Sequence, residues 1–521
     1  MRPFPPITHE TPDAVVVFIP TYLETKNSYI LNHRQQNLLV YSRSTQDINK
    51  TIDASIRTIT TKTQINGFGN NSFSISLVSR KDEYGYYWDE KIFPNDIIVI
   101  LAKRPSIDEE YQTLMVGFVN NITKEVNIDD SGIPARIINV SGTDLTGFFN
   151  NQYIIMNSSL MAALQEVRQH LHTIGFEYST LLKFLDEFYG PIWKIYQNFM
   201  VNYALPDMRW MITREGKTTS IMLHITTDSS SFAYESGKEL NINGVAFSSA
   251  NTSTTAFIDT LLQKPFNEML IYYKNISELL TSDDDSILNG AVQTIIRPSP
   301  FYFDPNHDPL SDSLPDRCGE VLGPSILTST SDVHVINNIG QSFTIRYHYI
   351  NDESVVKESL GKDMSNIYNL FLVQPRTPFN QDITPVINSK TAFHLPSIHR
   401  FGLKPLITQT DYTAIGNSEV KGNYNKEKEE QKNKSDLLSA QLNSVMKQWF
   451  VKNGEFLTGM IEVKGTGKYR PGDVLIYDSN ERQTITKLYI ERVIHKFVNF
   501  QYFTTELYVS RGVITKDKRN V

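Results

Sequence analysis

No apolar run in this chain is longer than a β-strand. The two longest, AVVVFI (Ala14 to Ile19) and IIVILA (Ile97 to Ala102), stop far short of the ~20 residues a membrane helix needs. The core must therefore be assembled from short elements closed by turns. The first run ends at Pro20, and the second follows a Pro94-Asn95-Asp96 turn. Between them Phe73, Ile75 and Leu77 alternate with serines, the period-two pattern of a half-buried strand. TLMVGFVNNITKEV and ARIINVSG complete a β-rich segment over residues 1–150, with no helical period inside it.

At 521 residues the chain exceeds one ordinary core, and two to four domains are expected. Its 26 Tyr and 28 Phe favour strands. Hydrophobic residues at 40% and charged residues at 21% mark a globular protein rather than a disordered one. The net charge of -7 argues against a surface that wraps nucleic acid by neutralising phosphates. The N-terminal MRPFPPITHE has no apolar stretch or cleavage site, so no signal peptide is expected.

After residue 150 the period changes. Leu160, Leu164, Val167, Leu171 and Ile174 line one face of an amphipathic helix, with Asn157 as N-cap and Gly175 just past its end. A second helical run is predicted near Ser179 to Tyr189, stopping at Gly190-Pro191. Residues 151–205 thus read as a helical insertion. Strands return in RWMITREG and SIMLHITTD, and a short helical piece is predicted near Ala256 to Met269. Residues 206–417 hold these strands and an irregular stretch at 279–330 rich in Pro, Asp and Ser. Residues 418–436 form a charged linker with almost nothing apolar to bury. A helix capped by Ser435 follows, with Leu438, Leu442, Val445 and Trp449 on its apolar face, and 437–521 ends in strands. One internal echo stands out. FPNDIIVI and YRPGDVLIY both set an aromatic, a Pro-x-Asp turn and a buried strand in sequence, the second through Pro471, Gly472 and Asp473.

The junction NVSGTDLTGFF invites a functional reading but lacks the further glycines of a dinucleotide loop and the Lys-Ser/Thr of a phosphate loop. It is not a G-x-S-x-G elbow. The structural reading is a corner: Gly142 permits the turn, Asp144 caps it, and Phe148 and Phe149 anchor it. Asp144→Ala is then expected to cost about 1 kcal/mol and no activity. The sole cysteine, Cys318, has no partner for a disulfide or a thiolate metal site, and a reducing compartment fits it. His170 and His172 sit two apart on a helical pattern and face different sides, so they do not chelate one metal. Asp304, Asn306 and Asp308 begin a calcium-loop pattern that lacks its glycine and distal Glu. The Asp283, Asp284, Asp285 run reads as a solvated loop. No residue pattern points to catalysis, and no metal or cofactor is expected.

Nine stretches in fixed order carry a family resemblance. They are YYWDEKIFPNDIIVILAKR, LMVGFVNNI, INVSGTDLTGFF, KPFNEMLIYY, TIIRPSPF, STSDVHVINNI, SIHRFGLKPL, FLTGMIEVKGTGKYRPGDVLIY and LYIERVIHKFVNFQYFTTELYVSRG. Together they resemble the baseplate hub proteins of tailed bacteriophages, over most of the chain except residues 1–70 and the helical insertion. The resemblance implies a mainly β fold with helical insertions (α+β), containing two tail-tube-like β-barrels. The first barrel would be 1–150. The second would begin within 206–417 and be completed by 437–521. It implies a homotrimeric ring in the virion tail baseplate, assembled in the host cytoplasm. Such a ring adapts six-fold tube symmetry to a three-fold spike and lines the DNA channel. The implied partners are a tail tube or distal tail protein above, a trimeric spike below and baseplate wedge proteins. DNA would pass without sequence-specific binding, and no membrane is involved. The other readings are a receptor- or carbohydrate-binding tail protein, with aromatics as stacking surfaces, and a tail-associated cell-wall hydrolase with acids in 279–330.

Overall fold

A computed structural model of the chain describes residues 12–20, 38–42, 55–79, 85, 87–105, 108–128, 134–155, 174–175, 189–205, 223–225, 240–243, 251–281, 285–299, 330–336, 342–375, 392–412, 437–447, 449–451 and 453–520. The N-terminal part holds β1 (Asp13–Ile19), β2 (Leu38–Tyr41), β3 (Ile56–Gln64), β4 (Ser72–Val78), β5 (Ile97–Lys103), β6 (Gln112–Ile128) and β7 (Pro134–Asp144). Short strands come next: β8 (Tyr153–Ile155), β9 (Ile174–Gly175), β10 (Tyr189–Pro191), β11 (Leu223–Ile225), β12 (Asn241–Asn243) and β13 (Asn251–Ser253). Helices α1 (Ile192–Phe199) and α2 (Thr254–Leu261) lie in this region. Then follow β14 (Asn267–Tyr273), β15 (Val292–Pro298), β16 (Thr330–Ile336), β17 (Ser342–Asn351), β18 (Val355–Lys362) and β19 (Leu370–Pro375). After α3 (Leu395–Phe401), β20 (Pro405–Thr410) and a helix over 437–447, the chain closes with four strands. These are β21 (Leu457–Lys464), β22 (Val474–Ser479), β23 (Thr484–Val498) and β24 (Tyr502–Asp517).

The two strand-rich ends of the sequence are fused. One sheet runs in the order β16-β17-β22-β23-β3-β4-β7-β6-β5-β1-β2, with β24, β21 and β18 branching from β23. Its pairs are antiparallel except β17 with β22. The joint is β3 against β23, in register from Thr58 opposite Val498 to Gln64 opposite Arg492. β1 and β5 are adjacent and buried along almost their whole length, which is why their sequences are unbroken apolar runs rather than alternating ones. β3 and β4 bury only one face, and they carry the alternation. A second core, including Ile350, Ile461, Leu475, Leu488 and Leu507, lies among β17 and β21–β24. The molecule is mainly β with a few helices inserted, as expected from the sequence.

Several local readings are corrected. The helix read over Leu160 to Ile174 lies outside the described residues up to Thr173, and Ile174–Gly175 is a short strand parallel to Ile154–Ile155. The second helical run, near Ser179 to Tyr189, lies outside the described residues except for Tyr189. Tyr189–Pro191 is a strand, and α1 starts at Ile192, because a proline fits just ahead of a helix and disrupts its interior. The helix predicted to reach Met269 stops at Leu261. Gln263 turns left-handed (φ +51) and Pro265 follows, so Asn267–Tyr273 becomes strand β14. Within the irregular stretch 279–330, Val292–Pro298 is a strand paired to β14. The charged linker 418–436, the Ser435 cap, Asn157, His170, His172, Asp283, Asp284, Asp304, Asn306, Asp308 and Cys318 lie outside the described residues.

Candidate functional site

The corner at the end of β7 is a sealed polar knot. Asp144 is 0% exposed and accepts at Oδ1 from the Thr146 amide (3.1 Å) and from the Thr146 hydroxyl. Its Oδ2 accepts from Asn71 Nδ2 (2.8 Å) and from the Tyr273 hydroxyl (3.2 Å). The β3–β4 turn, the β7 corner and β14 therefore share one carboxyl. Burial pushes the Asp144 carboxyl up to about 6, against the pull of those donors. Phe149 is buried and stacks on Phe68 at 5.4 Å, whereas Phe148 is half-buried. Gly142 does not make the turn. It lies inside β7, where a Cβ would overlap the Phe118 carbonyl oxygen of the neighbouring strand. The glycine is needed for close strand approach, and the turn begins at Asp144.

The sequence echo is a repeated piece of structure. In the first copy Asn95 is left-handed (φ +69), and its amide donates to the Val119 carbonyl at 2.7 Å. The Val119 amide returns a bond to the Asp96 carbonyl at 2.9 Å. In the second copy Gly472 is left-handed (φ +90), and its amide donates to the Ile490 carbonyl at 2.7 Å. The Ile490 amide returns a bond to the Asp473 carbonyl at 3.0 Å. Each corner thus opens a buried strand, β5 or β22, and locks onto the next strand, β6 or β23, by the same bond pair. Asp96 and Asp473 are both 1% exposed. Asp96 caps back onto the Phe93 amide at 2.8 Å, while Asp473 meets His348 Nε2 at 2.8 Å.

A buried ion pair joins the second corner to the middle of the chain. Arg297 donates from Nε to Glu268 Oε1 (2.8 Å) and from Nη2 to the Gly472 carbonyl (2.8 Å) and the Tyr489 hydroxyl (3.0 Å). Tyr489 also donates to Glu268. Burial alone would lower the Arg297 pKa, but the Tyr489 oxygen and Glu268 beside it outweigh this and raise it. Four of the stretches that carry the family resemblance, KPFNEMLIYY, TIIRPSPF, YRPGDVLIY and LYIERV, therefore meet at one point. Nearby, Arg470 lies over the Tyr272 ring at 5.3 Å. Residue-type reasoning missed Arg297, Glu268, Tyr489 and Asn71. For Arg297 and Glu268 the local signal is a charged residue inside an otherwise apolar strand, as in TIIRP and NEMLIYY.

Among the described residues there is no cluster of three His, Cys, Asp or Glu that could hold a metal ion, and no helix is long and apolar enough to cross a membrane. The two polar knots are closed to solvent and built of groups that satisfy one another, an arrangement that holds segments together.

No family model matches the chain, and no curated protein does. Solved structures similar to it include the tail protein from Neisseria meningitidis MC58, at 9% identity and a TM-score of 0.41, with 96% of each chain covered. The 43 kDa tail protein of prophage MuSo2 from Shewanella oneidensis is 8% identical with a TM-score of 0.42, covering 96% of this chain and 97% of that one. The prophage tail protein gp18 from Listeria monocytogenes EGD-e is 8% identical with a TM-score of 0.33, covering 97% and 95%. These likenesses are remote.

Proposed function

We propose that the chain is a structural component of a phage tail, and within it the baseplate hub. In this reading three copies form a ring at the tip of the tail tube, seated on a trimeric spike and passing DNA through the centre. The observation that carries it is the repeated Pro-x-Asp corner. One copy opens β5 in the N-terminal half and one opens β22 in the C-terminal half, with the same pair of strand-locking bonds. A chain with two like units, present three times, offers six like units around one axis. That is the arithmetic by which a trimer meets a six-fold tube. The division into two barrels, one around β1–β7 and one around β16–β18 and β21–β24, belongs to this proposal. In this reading the pairing of β3 with β23 joins the two units in one sheet. In this reading the role is architectural, and the buried Arg297–Glu268 pair serves to join segments.

The test is the mass of the purified full-length protein in solution, with negative-stain images of the same sample. A three-chain mass and a pseudo-six-fold ring are expected. A monomer that binds host cells would replace the hub by a receptor-binding tail protein, and clearing in a zymogram would indicate a hydrolase.

A further inference from the structure

An asparagine followed by glycine is open to attack by its own backbone, because glycine has no side chain to shield its amide nitrogen. The chain has four such pairs, beginning at Asn66, Asn243, Asn289 and Asn453. The fold treats them differently. Asn66 is locked: its amide donates to the Met269 carbonyl at 2.8 Å, and its Oδ1 accepts from the Met269 amide at 2.7 Å. The Gly67 amide, which would be the nucleophile there, donates to the Gln64 carbonyl at 3.1 Å. Asn453 is tied through Nδ2 to the Asn366 carbonyl at 2.8 Å, and Gly454 packs against Ile367. Gly244 lies outside the described residues. Asn289 stands apart. It is exposed, in the turn between a short 3-10 helix (Asp285–Leu288) and β15. Gly290 behind it is left-handed (φ +64), a conformation that suits glycine at a helix end.

We propose that Asn289 is a site of self-modification, converting in the folded protein to aspartate and isoaspartate. The Gly290 nitrogen gives up its proton to hydroxide and attacks Asn289 Cγ. An N–C bond forms, the Cγ–Nδ2 bond breaks, and Nδ2 leaves as ammonia with a proton from water. Water then adds across one C–N bond of the cyclic imide. Opening at Cγ restores the backbone and leaves aspartate. Opening at the backbone carbonyl leaves isoaspartate, with one extra methylene in the main chain. No oxidant or reductant is needed, and hydroxide promotes the first step. The flanks decide what the product does. Leu288 and Ala291 are both 0% exposed. The Ala291 amide donates to the Leu288 carbonyl at 3.1 Å, and the Ala291 carbonyl accepts from the Lys274 amide at 2.9 Å. The extra methylene therefore falls between two fixed points, just ahead of the strand that carries Arg297. Either product also adds a negative charge to the turn.

The experiment ages the full, unsubstituted chain in mildly alkaline and mildly acidic buffer, both folded and in urea. Peptide mapping by mass spectrometry reads the amide-to-acid conversion at each pair. An isoaspartyl methyltransferase with a labelled methyl donor reads isoaspartate. In the folded protein Asn289 is expected to convert about ten-fold or more faster than Asn66, whose hydrogen bonds must open first. Its rate is expected to rise with pH, and in urea the two residues are expected to converge. Asn289→Gln is expected to remove the methyl label from the peptide that contains this position. Equal rates at Asn289 and Asn66 in the folded protein overturn the proposal. So does an Asn289 that converts in urea but stays intact in the folded chain.

Discussion

Arg297 Nε lies 2.8 Å from Glu268 Oε1, and the two side chains are only 1% and 4% exposed. The pair crosses from β15 to β14 and, through Arg297 Nη2, reaches the β22 corner and Tyr489 of β23. Removing one member leaves a buried charge with no counter-charge, which typically costs about 3–5 kcal/mol. Arg297→Met is expected to lower stability by that amount in urea unfolding. The double variant Arg297→Met with Glu268→Gln is expected to recover a substantial part of it. Equal losses in the single and double variants would mean that the charge is not what matters.

Asp144 holds four donors with no access to solvent. Asp144→Ala strands them, so the expected cost is about 3 kcal/mol rather than the 1 kcal/mol of an exposed cap. The midpoint of chemical unfolding at pH 7 measures it. A loss under 1 kcal/mol would show that the knot relaxes around the gap.

The same carboxyl makes stability depend on pH. Its folded pKa of about 6 lies above the ordinary carboxylate value. Its contribution is therefore full below about pH 4 and is lost as pH rises through 6. The size is about 3 kcal/mol, two pKa units of linkage. On protonation, Oδ2 can donate to the Tyr273 oxygen, which now donates to it. Comparing the protein with Asp144→Asn at pH 4 and pH 7 isolates the effect, because the variant does not titrate there.

His495 acts in the opposite sense. Burial drops its imidazole to about 3, with Nδ1 against Thr505 Oγ1 at 2.9 Å. The unfolded chain binds a proton below about 6.5 that the folded chain refuses. Stability is present above that pH and is lost as pH falls, by up to about 5 kcal/mol near pH 3. His495→Gln is expected to flatten this acid limb of the unfolding curve.

Phe500 sits at the β23–β24 turn with φ +61 and is 67% exposed. A bulky residue in the left-handed region is strained, whereas asparagine tolerates it. Phe500→Asn is expected to raise stability by up to about 1 kcal/mol, visible as a higher Tm. A lower Tm would show that the ring packs better than its exposure implies.

The sequence by itself determined the β character of the chain, the strands β1, β4 and β5, and the two Pro-x-Asp corners. Each of these is decided within a few residues, by side-chain alternation, by apolar runs or by a turn that needs a left-handed residue. The boundary between α2 and β14 was not legible, because KPFNEMLIYY suits a helix or a strand until β15 pairs with it. The β3–β23 fusion and the Arg297 cluster were decided only in three dimensions. Arg297 reaches partners 29, 175 and 192 residues away. No local pattern encodes such a meeting, since a buried charge looks like any other charge until its counter-charge folds onto it.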